Sequence, residues 1–274
     1  MLAASLLFAF MNLIVKYLQE IPVAQIVFMR SIVMFVMVVF LLSKRKLQPF
    51  GNNKKLLILR GIFGTTGIAF FFYTLHQMPL ASAVVVHYLT PIITVLISVL
   101  VSRVNVKAVQ WLFFGLCFTG IFIIKGFDER IDSLPLIIGI LGTIGAASAY
   151  NIIAVLKQTE HHLVIMFYFP LVTIPLVLIY IFITGDWVWA SNQEWALLSV
   201  IGILTYFAQY FLTKAYQIGD VSKVSVISYL GVVYALVFGY YLFDEWYEPI
   251  VVVGLFLVVA GVLGNLLTRT KTIQ

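Results

Sequence analysis

Charged residues are scarce in this 274-residue chain: Asp, Glu, Lys and Arg make up 10% of it, whereas 62% is hydrophobic. A soluble domain of this length needs far more charge to cover its surface. The mean hydropathy is +1.08, and the charges that are present stand in short islands between long apolar runs. The scarcity of charge therefore excludes an ordinary soluble protein and indicates a lipid environment.

The sequence also lacks the features of several enzyme and nucleic-acid-binding classes. Its single cysteine, Cys117, lies in an apolar run, which excludes a disulfide framework and a thiolate metal site. There is no Walker-type glycine loop, so ATP is not the direct energy source. Glu160-His161-His162 lacks the third ligand of a hydrolytic zinc site, and we interpret it as a solvated turn. We expect no cofactor and no enzymatic activity.

Ten apolar runs of about 16 to 23 residues are present, close to the roughly 20 that a helix needs to cross a bilayer core of ~30 Å. They lack the alternation of polar and apolar residues that is typical of membrane barrel strands, so they predict helices. The predicted spans are Leu2 to Tyr17, Val23 to Leu42, Leu56 to Leu75, Leu80 to Val101, Ala108 to Ile124, Leu134 to Leu156, Leu163 to Thr184, Trp195 to Tyr216, Val221 to Phe243 and Pro249 to Leu267.

Basic residues fall unevenly between these spans. If the N-terminus is cytoplasmic, the outer segments hold only Lys125 and Arg130, and the other basic loop residues fall on the inner side. The sequence thus predicts a multi-pass protein of the cytoplasmic (inner) membrane with both termini in the cytoplasm. The formal charge of +6 is explained by these dispersed loop residues and by anionic lipid headgroups, so we expect no nucleic acid partner.

The two halves of the chain show weak similarity to each other. Residues 75–82 align with residues 215–222, and residues 88–92 align with residues 229–233 one insertion later. Residues 1–132 and 133–274 each carry five predicted spans. Because five is odd, the second half enters the membrane from the opposite side, and such inverted repeats are a recurrent design of secondary transporters.

Short motifs stand in several spans, at residues 12–16, 28–31, 81–83, 88–91, 243–245 and 254–261. These motifs resemble those of one family, the EamA-type permeases of the drug/metabolite transporter superfamily. The resemblance covers essentially the whole chain, and it implies an all-α membrane protein of ten transmembrane helices in two inverted five-helix repeats, with the fifth and tenth at the periphery. The chain departs from the family pattern at Val104, where the first repeat usually has the glutamate that Glu245 supplies in the second.

Polar side chains within the spans predict the solute cavity, because an ionisable group at mid-depth is costly unless it meets protein, water or substrate. Arg30 is placed to bind a carboxylate or phosphate. Its alternatives are to extend outward to the interface or to pair with Glu20. Lys16 lies nearer its helix end, and we expect it to extend to the interface.

His87 is either a proton carrier or a neutral histidine bonded to a neighbouring helix. Asn12 and Asn151 stand nearly one repeat apart and are predicted to face the solute from both halves. Glycines at every third position of the third and sixth spans predict close helix packing. The full set of predicted solute-binding residues is Asn12, Arg30, Tyr73, His87, Tyr88, Asn151, Tyr206, Gln209, Tyr229 and Tyr234.

These observations favour a secondary transporter that moves small metabolites, such as amino acids or related amphipathic solutes, by alternating access. An alternative substrate is a cofactor-like solute such as S-adenosylmethionine, taken up by the same mechanism. From other classes, a passive pore and a membrane scaffold are the alternatives. The expected partners are the solute and membrane lipid, and a homodimer is left open.

Overall fold

A computed structural model describes residues 1–90, 92–94, 96–97, 108–156, 159–218 and 230–268. The regular structure in these ranges is helical. Ten helices are described: α1 (Leu2–Tyr17), α2 (Val23–Lys44), α3 (Lys54–Gln77), α4 (Leu80–His87), α5 (Ala108–Phe127), α6 (Ser133–Leu156), α7 (His162–Thr184), α8 (Asn192–Ile218), α9 (Leu230–Phe243) and α10 (Pro249–Thr268).

The predicted spans agree closely with these helices. Apart from α4 and α9, every helix begins and ends within about three residues of its predicted bounds. The helix α4 ends at a tightened turn, in which the Tyr88 N–H contacts the carbonyls of both Val84 and Val85 and the Leu89 N–H bonds Val86 O. The described residues 90, 92–94 and 96–97 after this turn are helical again. This tightened last turn interrupts the fourth apolar run at its middle. Residues 221–229, the predicted start of the ninth span, lie outside the described residues.

The distribution of exposed side chains is that of a multi-pass membrane protein. Phe122, Phe182 and Ile183 are 76%, 90% and 77% exposed, whereas the arginine Arg30 is 1% exposed. Apolar groups on the outside and charge on the inside fit a hydrocarbon solvent, not water. Six helices, α2, α3, α5, α6, α7 and α8, are long and apolar enough to cross a membrane, and the other four are shorter apolar helices within the described residues.

The helices of the two halves pack across each other. The most extensive contacts pair α5 with α10, α3 with α6, α2 with α7 and α1 with α8. The pair α2 and α8 and the pair α3 and α7 are also in contact. Each of these pairs joins a helix from residues 2–127 to one from residues 133–268, so the core lies between the halves.

Glycines allow the closest of these approaches. A Cβ atom added at Gly67 of α3 would lie 2.8 Å from the backbone nitrogen of Ala146, and one added at Gly145 of α6 would lie 3.0 Å from the Gly67 nitrogen. Small residues at such crossings let helix backbones meet. The predicted close packing of the third and sixth spans is therefore confirmed. The same device joins α5 to α10 through Gly120 and Gly254.

The loops between helices form two ends of the bundle. The Glu245 end comprises residues 18–22, 78–79, 128–132, 185–191 and 244–248. The Glu160 end comprises residues 45–53 and 159–161. Hydrogen bonds between loops or helix ends of different halves occur at both ends, for example from Val188 N–H to Gln25 Oε1 at the Glu245 end and from Asn52 N–H to Glu160 Oε1 at the Glu160 end.

Candidate functional site

Arg30 lies on α2, fully enclosed by neighbouring helices. Its Nε donates to Thr205 Oγ1 on α8 over 2.9 Å, and its guanidinium carbon is 5.6 Å from the Phe72 ring centroid and 5.3 Å from that of Phe169. Its Nη1 atom is buried and has no hydrogen-bond partner. Arg30 is 1% exposed and Glu20 is exposed on a loop. Arg30 therefore neither reaches the interface nor pairs with Glu20.

A second arginine, Arg60 of α3, shares the same aromatic ring. The guanidinium carbons of Arg30 and Arg60 lie 5.3 Å and 4.3 Å from the Phe169 centroid, so they are at most about 10 Å apart. Arg60 is buried, and its Nε and Nη1 atoms have no hydrogen-bond partner. The Tyr150 hydroxyl of α6 is close enough to interact electrostatically with both groups. Four helices, α2, α3, α6 and α7, thus meet at this pair of cations.

The electrostatic balance of this pair is unfavourable without an anion. Among the described residues, the ion pairs are Lys16 with Glu245 and Arg130 with Asp128, and neither buried arginine takes part in one. Burial of each unpaired charge costs several kcal/mol. Two positive charges at most about 10 Å apart repel by at least about 2 kcal/mol at an effective dielectric constant of ~20. Contact with the Phe169 face offsets only part of this cost.

Other predicted site residues lie close to this arginine pair in the chain or in space. Tyr206 follows Thr205 on α8 and belongs to the same buried cluster as Phe169. His87 stacks on Phe71 with ring centroids 4.1 Å apart, and Phe71 precedes the Phe72 that faces Arg30. The Arg30–Thr205 bond thus connects α8 to the arginine pair, and His87 of α4 stacks on the residue of α3 next to Phe72.

The first helix contributes a polar group of its own. Asn12 Oδ1 is buried without a hydrogen-bond partner. It follows Met11, whose sulfur accepts a hydrogen bond from the Thr205 hydroxyl over 3.2 Å. An unpartnered buried acceptor costs about 1–3 kcal/mol, which favours Asn12 as a ligand-facing group. Gln209, one turn beyond Thr205 on α8, is partly buried and has interactions of its own.

The remaining predicted site residues are placed elsewhere. Asn151 donates to Thr94 O and Ala147 O over 3.3 Å and 3.1 Å, so it joins α6 to the segment after α4. The Tyr88 hydroxyl packs against Gly231, where α4 meets α9. Two others, Tyr73 of α3 and Tyr234 of α9, are partly buried, and Tyr229 lies outside the described residues.

Lys16 forms the centre of a buried network at the Glu245 end. Its Nζ lies 2.6 Å from Met78 O and 3.5 Å from Glu245 Oε1. The Glu245 carboxylate also accepts from the Leu80 N–H at 3.0 Å and 2.8 Å and from the Tyr247 hydroxyl at 2.7 Å. The prediction that Lys16 extends to the interface is therefore wrong, because a carboxylate from the loop before α10 provides a nearer partner.

Tyr247 and Arg130 extend this network across the Glu245 end. Burial and the neighbouring Glu245 raise the pKa of Tyr247 far above its ordinary value, so its hydroxyl stays protonated and donates. The Arg130 guanidinium lies 4.9 Å from the Tyr247 ring centroid and bonds both carboxylate oxygens of Asp128, at 2.8 Å and 2.9 Å. The bonds to Asp128 raise the pKa of Arg130. The network thus ties α1, α4 and the loops before α6 and α10 together.

Glu160 closes the opposite end of the bundle. Its Oε1 accepts hydrogen bonds of 2.7 Å from the backbone N–H groups of both Asn52 and Asn53, at the start of α3. Tyr168 donates to Phe50 O over 2.9 Å in the same loop. Glu160 is only 8% exposed, so the predicted solvated turn is wrong at this residue. A carboxylate at a helix N-terminus is favourable, which explains its burial.

Comparison with known proteins places this fold among membrane transporters. A family model described as the EamA-like transporter family matches residues 1–126 and 133–267. The pseudopaline exporter CntI of Pseudomonas aeruginosa is 30% identical, over 98% of this chain and 94% of its own. The S-adenosylmethionine uptake transporter of Rickettsia prowazekii is 26% identical, over 79% of this chain and 73% of its own. Human solute carrier family 35 member G1 is also 26% identical, over 89% of this chain and 71% of its own.

A solved structure supports the same fold. One crystal structure superposes with a TM-score of 0.63 over 95% of each chain, at 18% sequence identity. At that identity the likeness concerns the fold alone.

Proposed function

The chain belongs to the EamA-like transporter family, and we propose that it carries a small anionic metabolite across the cytoplasmic membrane by alternating access. Like its named relatives, it is a transporter and not an enzyme. The observation that carries the choice of an anionic solute is the fully buried Arg30, whose Nη1 has no partner. An anionic group of the solute would supply the missing hydrogen bonds and charge.

The proposed architecture is ten membrane-spanning helices in two inverted five-helix repeats, residues 1–132 and 133–274. Support comes from the two stretches that one family model matches. The packing of the helices is also consistent with this architecture. If α1 to α5 are exchanged in order with α6 to α10, the α2–α8 contact becomes the α3–α7 contact, and the α3–α6 contact becomes the α1–α8 contact. All four contacts are present. Exchange of conformation between two such halves would alternate the accessible side of the site.

The proposed orientation places the Glu245 end outside and the Glu160 end in the cytoplasm. The basic residues of the Glu160 end and the adjoining helix ends, Lys44, Arg45, Lys46, Lys54 and Lys55, support this direction. In this arrangement the buried network of Lys16, Glu245 and Tyr247 is an outer gate in its closed state. Opening to the outside requires the links from α1 and α4 to the loop before α10 to break.

Arg30 would bind the anionic group of the solute, with Thr205 fixing the orientation of its guanidinium. Asn12 and Tyr206 are proposed to contact the rest of the solute. Burial of an unpaired charge is costly. A bound anionic solute would therefore stabilise the site more than water does when no solute is bound.

The test uses purified protein in two steps. A thermal-shift screen against amino acids and small organic acids identifies a ligand, and counterflow in liposomes measures its saturable exchange. We expect Arg30→Ala to abolish counterflow, whereas Arg45→Ala, an exposed arginine at the end of the same helix, leaves it intact. Saturable transport that is unchanged in Arg30→Ala would contradict the assignment of Arg30 to the solute site. A pore would conduct without counterflow, and a scaffold would show neither.

Uptake of a cofactor-like solute is the second candidate. Its support is the 26% identity to a protein named as an S-adenosylmethionine uptake transporter. A sulfonium cation would add positive charge beside Arg30 and Arg60, which lie against the same Phe169 ring. The same counterflow assay with S-adenosylmethionine in place of the acid decides between the two.

A further inference from the structure

Arg30 does not stand alone, because Arg60 reaches the same Phe169 ring from α3. We infer that the two arginines form a two-point anion site, and that the transported solute carries two acidic groups, as a dicarboxylate does. This inference rests on the proposed transport function and specifies its substrate class. Arg60 gives the site a second charge that the sequence-predicted set of residues lacks.

Unused hydrogen-bonding capacity on both arginines supports this inference. Arg30 is 1% exposed and leaves Nη1 unpartnered, and Arg60 is 6% exposed and leaves Nε and Nη1 unpartnered. Each guanidinium is a planar fork suited to one carboxylate. Three buried donor atoms on two forks therefore call for acceptors that no described side chain provides.

The charge balance points to two negative charges. The two ion pairs formed by described residues involve Lys16 and Arg130. The charges of Arg30 and Arg60 are therefore left without a compensating carboxylate among these residues. A monocarboxylate would neutralise one guanidinium and leave the other buried and charged. A solute with two carboxylates neutralises both, and the guanidinium carbons are close enough, at 5.3 Å and 4.3 Å from a shared ring centroid, for one small molecule to span them.

Arg60 is also held in place for this role. Its guanidinium lies over the Phe169 face at 4.3 Å, and a Cβ added at Gly64, one turn along α3, would lie 2.9 Å from its Nη1. The glycine therefore leaves the space that the Arg60 head occupies. Stacking on an aromatic ring fixes the plane of a guanidinium and leaves its edge donors available for an anion.

The experiment compares linear dicarboxylates, from succinate to suberate, with monocarboxylates of the same chain length by calorimetric titration of the purified protein. In the wild type we expect at least one diacid to bind roughly 10- to 100-fold more tightly than its monoacid, since a charge-assisted hydrogen-bonded pair is added. In Arg60→Gln that advantage should vanish while the monoacid affinity, which depends on Arg30, is kept. Arg60→Lys should retain part of it.

A stability measurement separates ligand binding from a structural role of Arg60. Arg60→Met removes an uncompensated buried charge at similar length, so we expect the ligand-free protein to melt at a higher temperature than the wild type. If Arg60 instead served helix packing, the same change would lower the melting temperature. Arg45→Gln, at an exposed position, should change neither the melting temperature nor the diacid advantage.

Several results would overturn the inference. These are equal affinity for diacids and monoacids in the wild type, an unchanged diacid advantage in Arg60→Gln, and a lower melting temperature for ligand-free Arg60→Met. Inorganic phosphate binding as tightly as the best diacid, with the same dependence on Arg60, would overturn the dicarboxylate assignment in favour of a single dianion. Failure of counterflow with a diacid that binds through Arg60 would overturn the proposed transport function and leave the two-point site standing.

Discussion

Lys16 Nζ lies 3.5 Å from Glu245 Oε1, and this pair links the last turn of α1 to the loop before α10. Both side chains are 8% exposed. Removal of one partner from a buried ion pair typically costs about 3–5 kcal/mol, because the other charge is left without compensation. In the proposed alternating-access carrier, the closed state of the Glu245 end would depend on both residues, and a change at either one should shift the balance between closed and open states.

The first prediction concerns Glu245→Gln. The amide oxygen can still accept from the Leu80 N–H, so the fold should persist, but the charge facing Lys16 is lost. We expect the Glu245 end to open more often. The measurement is the rate at which a maleimide modifies Ser82→Cys, a buried position on α4, in a Cys117→Ser background. Glu245→Gln should raise this rate severalfold.

Glu248→Gln provides the matched control for this prediction. It removes the same charge three residues away, at an exposed position, and should leave the modification rate of Ser82→Cys unchanged. Equal rates in both variants would show that charge near this end, and not the buried pair, controls access.

The second prediction concerns the orientation of Arg30 by Thr205. Thr205→Val keeps the side-chain shape but removes the acceptor of the Arg30 Nε–H. We expect the free energy of unfolding to fall by about 1–3 kcal/mol, since a buried charged donor loses its partner. The thermal shift caused by an anionic ligand should also shrink. Both quantities are measured by thermal unfolding with and without the ligand.

Thr66→Val is the control for Thr205→Val. The Thr66 hydroxyl bonds Ile62 O of its own helix, so its loss should change stability by only a few tenths of a kcal/mol. An equal loss of stability in the two variants would contradict a specific role for the Arg30–Thr205 bond.

Apolar run length was sufficient to predict the helices. Runs of about 20 apolar residues admit one structure in lipid, and α1, α6 and α7 begin and end almost where the runs do. The end of α4 at His87 was not predicted, although the sequence marks it: Pro91, four residues on, has no N–H to donate to His87 O. The Thr90 hydroxyl donates to that carbonyl instead, over 2.6 Å. Which helices pack against each other also depends on which glycines of different helices come into contact. The spacing of glycines along one helix does not specify those contacts.

The proposed site includes some residues that the sequence singled out and others that it did not. A charge well inside an apolar run is rare, and this marks Arg30 in the sequence. Arg60 also lies inside a predicted span, but it stands close to the start of that span, where a charge is less unusual. Its importance depends on Phe169, which is 109 residues away in the chain and joins the two arginines only after folding. The burial of Lys16 was missed for a similar reason, since Glu245 comes from the opposite half.

The third prediction tests the crossing of α3 and α6. Gly67→Ala would place a methyl group 2.8 Å from the Ala146 backbone nitrogen, and overpacking of this kind typically costs about 1–3 kcal/mol. Gly115→Ala on α5 is the opposite case, because nothing lies within 4 Å of the added Cβ. There we expect a gain of up to about 1 kcal/mol from helix propensity. Unfolding of both variants in SDS measures the change in the free energy of unfolding that each substitution causes. Changes of the same sign would contradict the difference in packing between Gly67 and Gly115.

The last prediction tests whether the Tyr88 hydroxyl and Gly231 share one space between α4 and α9. A Cβ added at Gly231 falls on Tyr88 Oη, so Gly231→Ala must displace the tyrosine and lower stability. Tyr88→Phe removes the obstructing oxygen, and the double variant should recover part of the loss. Contacting residues typically show coupling energies of 0.5–3 kcal/mol, which a double-mutant cycle of unfolding free energies measures. Strict additivity would mean that the Tyr88 hydroxyl contributes nothing to the cost of Gly231→Ala, which would contradict the shared space.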